Sequence, residues 1–215
     1  MKKIDIKIEK AGISASFKET QYPHFIGSWD IEKETLCKEI INLFEENKQL
    51  QKSGVTIGGK DLTIKKTTDI RVSPNDLKNI RFKCLNNYIG ELHKCFIDYQ
   101  NQWPFIKGLS ENIHIGAFNI QKYLPGDHFA KIHTERFDIQ TLHRAFAWMT
   151  YLNDVDDGGA TNFSHYDIKI KPKTGQTLIW PADWTHAHSG EILNSGAKYI
   201  VTGWMHFPHD KDQQE

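Results

Sequence analysis

Cysteine is scarce in this chain of 215 residues: Cys37, Cys84 and Cys95 are all there is. Their spacing matches no metal-binding pattern, and an odd count with no framework excludes a disulfide scaffold and suits a reducing, cytoplasmic compartment. Charge of one sign is not in excess, with 27 basic residues against 27 acidic ones. Neither nucleic acid nor an anionic membrane is therefore expected as an obligate partner. No apolar run reaches the length that spans a bilayer, so no membrane partner is expected either. The first ten residues, Met1 to Lys10, begin basic but lack the apolar stretch of a signal peptide. Their alternation of apolar and charged residues reads instead as a short half-buried strand. Internal repeats and low-complexity segments are absent.

What is present suffices for a core. Hydrophobic residues make up 39% and aromatics 12%, and the length suits one domain, 1–215. Residues 1–104 read as mainly helical support. Asp30 is placed to cap a helix on which Cys37, Ile40, Ile41 and Phe44 share one face. The polar stretch Lys48 to Asp61, with Ser53-Gly54 and Gly58-Gly59, reads as a loop. Ser73-Pro74 predicts the start of a long helix bearing Leu77, Ile80, Cys84, Tyr88, Leu92, Cys95 and Tyr99, closed by Trp103-Pro104. After Pro104 the texture changes to short strands: around Ile113 to Ala117, Ala145 to Leu152, Thr177 to Trp180, and Lys198 to Phe207. Gly, Asp and Pro clusters separate them, which predicts a β sandwich or barrel over 105–215 with the helices packed outside. The fold class expected is α+β.

Nine of the eleven histidines lie from His114 onward. Among them, His133 and Glu135 are two apart, and on a strand such residues point to the same side. Two histidines and one carboxylate bind one face of a divalent iron and leave the opposite face open. A third ligand must come from a distant strand, and His186 and His188 have the same parity, so alternation alone does not choose between them. A lysine beyond them, Lys198, could hold the far carboxylate of a bidentate co-substrate.

The order of motifs from Tyr123 to Phe207 resembles the prolyl 4-hydroxylase-like branch of the 2-oxoglutarate/Fe(II) oxygenase superfamily. Tyr123 and Pro125-Gly126 precede His133-Thr134-Glu135. Arg144 then precedes Tyr151-Leu152-Asn153, and Gly158-Gly159-Ala160-Thr161-Asn162-Phe163 and Pro172-Lys173-Thr174-Gly175 follow. His188, Gly196-Ala197-Lys198 and Trp204 close the series. The resemblance implies a double-stranded β-helix, or jelly roll. It also selects His188, because the family's distal histidine precedes the basic residue by about ten positions. Two departures are Glu135, where aspartate is usual, and Ala160, where glutamate is frequent.

By this resemblance His133, Glu135 and His188 hold Fe(II), and Lys198 and Tyr123 bind the C5 carboxylate of 2-oxoglutarate. Arg144 is the candidate catalytic side chain, and ascorbate is an accompanying reductant. The implied reaction hydroxylates a prolyl residue of a proline-containing peptide or protein while 2-oxoglutarate is decarboxylated to succinate. Alternatives are a hydroxylase of free amino acids or small metabolites, and a non-catalytic cupin-like metal-binding protein. The latter would need neither Lys198 nor Arg144. Base demethylation fits less well, since the chain carries no net positive charge. Oligomeric state is left open.

Overall fold

The computed structural model describes residues 1–6, 23–56, 59–109 and 113–207. In chain order these form β1 (Lys2–Lys3), β2 (Gly27–Asp30), α1 (Glu34–Glu46), β3 (Lys52–Ser53), β4 (Thr68–Val72), α2 (Lys83–Gln102), α3 (Phe105–Leu109), β5 (His114–Ile115) and β6 (Phe118–Tyr123). They continue with β7 (Phe129–His133), β8 (Arg144–Tyr151), β9 (Thr161–Phe163), β10 (Ile168–Ile170), β11 (Gln176–Pro181), β12 (His188–Gly190) and β13 (Lys198–His206). The large sheet has the order β1-β2-β11-β8-β13-β6-β4-β3, with β5 beside β13, and the small one the order β10-β9-β12-β7. Every pairing is antiparallel. This is the expected jelly roll.

Alternation along the strands of the large sheet divides the core in two. Ala147, Met149, Tyr151, Leu178, Trp180 and Ile200 face the small sheet and meet its Phe163, Ile168 and Ile170. Phe146, Trp148, Ile179 and Val201 face the other way and are covered by the apolar stripes of α1 and α2, including Cys37, Ile40, Phe44, Tyr88, Leu92 and Tyr99. One polar contact ties the layers: the Tyr88 and Thr150 hydroxyls lie 2.7 Å apart. The helices therefore clamp the back of the sheet and leave its front to build the site.

Several sequence expectations shift. Asp30 does not cap α1; its Oδ1 accepts from Glu32 N at 2.7 Å in a turn ahead of the helix, whose N-cap is Lys33. Ser73 and Asp76 bond reciprocally, Ser73 N and Oγ each donating to Asp76 Oδ2 at 2.7 Å. That pattern opens only two short 3-10 turns, because Asn79 is extended and caps the second of them itself. The helix proper thus begins at Lys83, and Ile80, expected on its apolar stripe, is exposed. The expected loop after Lys48 contains a 3-10 turn and β3, which pairs with β4. Among the described residues of the first ten, Lys2–Lys3 form a strand, and both are exposed. Gly58 and residues 7–10 lie outside the described residues.

The sheet also does not divide at residue 104. β2 pairs with β11 and β4 with β6, so strands from the first half extend both flanks. A fragment 105–215 would lose these strands and the helical cover of Trp148, Phe146 and Val201. It is expected to be insoluble or to lack fixed near-UV circular dichroism. A folded, iron-binding fragment would show instead that the halves are independent.

Candidate metal centre

His133 ends β7 and His188 begins β12, and the two are cross-strand partners, so register alone brings the imidazoles together. Their ring centroids are 4.4 Å apart. Glu135 lies two residues beyond β7, where Thr134 Oγ1 and Arg136 N both donate to Ala182 O at 2.9 and 3.0 Å and turn the chain inward. Its Oε1 is then 3.4 Å from His188 Nε2 and 3.8 Å from His133 Nε2. Among the described residues this is the one cluster of three such groups with ligand atoms all within 4.8 Å of one another.

The direction of each ring is set by its other nitrogen. His133 Nδ1 donates to Lys131 O at 2.8 Å, and His188 Nδ1 to His186 O at 2.9 Å. A carbonyl only accepts, so Nδ1 carries a hydrogen in each ring and Nε2 is the nitrogen turned toward Glu135. Phe129 stacks on His133 with centroids 3.8 Å apart, and Trp180 meets His188 edge to face at 5.1 Å. His186 is elsewhere: its Nε2 donates to His24 O at 2.8 Å and its Nδ1 lies 2.9 Å from Thr185 Oγ1.

Electrostatics match this arrangement. Burial is the largest influence on Glu135 and acts to raise it. The His188 hydrogen bond, the two imidazoles and Trp204 outweigh burial and hold the carboxyl well below the usual range. Burial pushes His133 down to about 4, with His188 adding to it and Glu135 opposing. At neutral pH the carboxylate is ionised and His133 is neutral, the protonation state that metal ligation requires. Two imidazole nitrogens and a carboxylate oxygen thus converge within 4.8 Å of one another, where a divalent cation would meet three donors. The donor set therefore fits Fe(II).

Deeper in the same interior lies Lys198, 3% exposed. Its Nζ donates to Gly159 O at 2.9 Å and sits 4.1 Å over the Tyr123 ring. The turn that supplies this carbonyl needs glycine: Gly159 has φ of 69° and approaches the Lys198 stem closely. Burial pushes the ammonium down to about 8, with Glu191 opposing. Among the described residues no carboxylate forms an ion pair with it, so its charge is left without a close anionic partner.

Tyr123 is buried beside it, but its hydroxyl donates to Gln121 Oε1 at 2.9 Å. Gln121 Nε2 in turn donates to Asp69 Oδ2 at 3.1 Å, and Lys65 Nζ is 2.8 Å from the same oxygen. Arg144 is not turned toward open space either. Its guanidinium stacks 3.8 Å over the Trp204 ring, and its Nη1 donates to Glu135 O at 3.0 Å. Sequence reading assigned no role at the site to the side chains of Lys65, Asp69, Gln121 or Phe129. For Asp69 and Gln121 the available signal was a polar residue at an inward position of an otherwise apolar strand. Trp204, which closes the motif series, donates its Nε1–H to Glu135 Oε2 at 2.6 Å, whereas Trp184 is exposed.

With this geometry in view, residues 118–206 match the family model of the 2OG-Fe(II) oxygenase superfamily, which bears out the resemblance seen in the sequence and brings Fe(II) and 2-oxoglutarate with it. The chain is 27% identical over 128 residues to the probable prolyl 4-hydroxylase 9 of Arabidopsis thaliana, covering 47% of this chain and 43% of that protein. It thus spans less than half the length of the curated relatives it matches. Its fold is similar to the viral collagen prolyl hydroxylase of Paramecium bursaria Chlorella virus-1, with a TM-score of 0.61 at 18% identity over 84% of this chain and 95% of that one. It is likewise similar to a prolyl hydroxylase of Trichoplax adhaerens solved with a hypoxia-inducible-factor peptide, with a TM-score of 0.65 at 14% identity over 89% and 86% of the two chains.

Proposed function

We propose that this protein, whose residues 118–206 match the 2OG-Fe(II) oxygenase superfamily, is a 2-oxoglutarate-dependent dioxygenase that hydroxylates a prolyl residue in a peptide or protein. The observation that carries the reading is the convergence of His133 Nε2, His188 Nε2 and Glu135 Oε1 on one point, with the buried cation of Lys198 in the same interior. His133, Glu135 and His188 would hold Fe(II). Together with 2-oxoglutarate, the metal supplies dioxygen activation, with succinate and carbon dioxide as co-products.

The chain's own side chains then bind, orient and exclude. Lys198 pairs with the C5 carboxylate as a point charge. Tyr123 packs its ring under that ammonium, and the commitment of its hydroxyl to Gln121 argues against a hydrogen bond from it to the same carboxylate. Phe129 and Trp180 press on the two imidazoles and keep water from them. Arg144, bonded to Glu135 and stacked on Trp204, acts on the carboxylate rather than on substrate. Its guanidinium retains its charge at any working pH.

A peptide rather than a free amino acid is supported by the rim. Phe137, Ile139 and Leu142 follow Glu135 and are exposed, as is Trp184. Arg136 Nη1 lies 3.4 Å from Asp183 Oδ2, which ties the two segments side by side. Such a surface offers an extended chain more apolar contact than a single amino acid could use. The relatives named as prolyl hydroxylases support the same class. Cytoplasmic residence is proposed from the three free cysteines and a reducing compartment; no helix among the described residues is long and apolar enough to cross a membrane.

With Fe(II), 2-oxoglutarate and ascorbate, the protein is expected to form succinate. Mass spectrometry should find one added oxygen on proline-containing peptides, and none on free proline under the same conditions. Oxygen gained only by free amino acids would leave the small-molecule hydroxylase standing. No succinate at all would favour the non-catalytic metal-binding protein.

A further inference from the structure

Glu135 stands where a shorter carboxylate is usual, and its two oxygens have separate surroundings. Oε1 faces the two imidazole Nε2 atoms at 3.4 and 3.8 Å. Oε2 accepts from Trp204 Nε1 at 2.6 Å and lies 3.8 Å from Arg144 Nη1. The indole is itself seated, because the Arg144 guanidinium covers its face at 3.8 Å and bonds to the Glu135 backbone carbonyl. Trp204 and Arg144 thus close a ring of contacts around one oxygen only.

We propose that Trp204, seated by Arg144, is a positioning residue that reserves Oε2 and confines Glu135 to a single oxygen at the metal. The inference rests on the oxygenase reading above. Its chemical consequence is a count of positions. Two imidazoles and one carboxylate oxygen leave three of six sites on an octahedral ion; a chelating carboxylate would leave two. With Oε2 also on the ion, a 2-oxo acid that chelates through two oxygens would have to displace it or crowd into the last two sites, so holding Oε2 back keeps the co-substrate's two sites uncontested and a third free. The extra methylene of glutamate makes this restraint needful, since a longer, freer carboxylate can swing both oxygens onto one ion. A charge-assisted bond of 2.6 Å is among the strong ones, which suits the task.

Trp204→Phe tests this, keeping a ring beneath Arg144 and removing the N–H. Mn(II) is used as the probe, with its affinity followed by electron paramagnetic resonance and 2-oxoglutarate affinity by calorimetry on the Mn(II)-loaded protein. Release of Oε2 is expected to leave Mn(II) affinity unchanged or higher while 2-oxoglutarate binding weakens about tenfold or more. The two effects have opposite signs, which a general loosening of the fold does not produce. Arg144→Leu unseats the indole without removing it and is expected to give the same pair of changes at smaller size, so the test survives poor folding of either variant. A loss of Mn(II) affinity of about 10–100-fold, with 2-oxoglutarate following in proportion, would mean that Trp204 only orients the carboxylate, and would overturn the proposal. Unchanged affinities for both would overturn it as well. If the wild-type protein bound neither Mn(II) nor 2-oxoglutarate, the oxygenase reading itself would fall, and this inference with it.

Discussion

His133→Ala, Glu135→Ala and His188→Ala are each expected to abolish tight iron binding, whereas His186→Ala retains it. Anaerobic titration of the four variants with Fe(II) measures this directly. The contrast between the two neighbouring histidines is the sharp part. His188 Nε2 is turned to Glu135, while both nitrogens of His186 are taken, one by His24 O and one by Thr185. What His186 gives the site is its backbone carbonyl, which accepts from His188 Nδ1, and alanine keeps that carbonyl. Its ring is 3% exposed, so losing the His24 bond should cost stability by about 1–3 kcal/mol without emptying the site. Iron lost from His186→Ala but kept by His188→Ala would identify the wrong ligand.

Lys198→Ala is expected to weaken 2-oxoglutarate binding far more than it weakens iron binding. Truncating one member of a buried ion pair costs about 3–5 kcal/mol, or roughly 150- to 4000-fold in affinity. The pH dependence gives a second reading of the same residue. Burial brings the Lys198 ammonium from the ordinary lysine value down to about 8. Between pH 8 and that ordinary value the unfolded chain binds a proton that the folded, ligand-free protein does not. The stability of the ligand-free protein should therefore rise with pH across this window. A bound carboxylate reverses the shift, so 2-oxoglutarate uptake above about pH 8 takes up one proton, and affinity falls about tenfold per pH unit. Lys198→Arg, which does not titrate, should bind less well than the wild type but lose this slope. A wild-type affinity flat from pH 7 to 10, together with a normal KM in Lys198→Ala, would make Lys198 a packing residue and assign the C5 carboxylate to another group.

The strands read most easily in the sequence were those with their own apolar signature. Ala145 to Leu152 was visible because β8 is buried on both faces, between the helices and the small sheet. β9, β10 and β12 are three residues each and carry no period of their own; their pairing, not their composition, makes them strands. The site was legible for a partly different reason than the one that suggested it. Strand parity put His133 and Glu135 on one side, yet β7 ends at His133, and Glu135 is turned inward by Ala182 and held by Trp204 and Arg144. Arg144 was singled out as catalytic, but its partner can be recognised only in space, since it lies nine residues away along a loop. Lys65 and Asp69 escaped because nothing in a Lys-Lys-Thr-Thr-Asp run marks an inward face; Asp69 is carried inward by the pairing of β4 with β6, and Lys65 is buried against it as an ion pair.

The large sheet joins residues that the chain keeps far apart. Gln176 Nε2 donates to Ser28 Oγ across 148 positions, and the whole of β2 has β11 as its inner neighbour. Topologies ruled by such distant pairings fold slowly, because the entropy of closing a long loop is lost before the contacts reward it. During synthesis, which proceeds from the N-terminus, β2 emerges early and waits until β11 has been made. For most of that interval it is a strand edge with open hydrogen-bonding groups and the apolar Trp29 beside it, a template for the wrong partner. The same topology that sets the large sheet behind the small one carrying His133 and His188 therefore sets the yield of native protein by a race between late closure and aggregation. Slower translation or chaperone holding of the first third of the chain should favour closure.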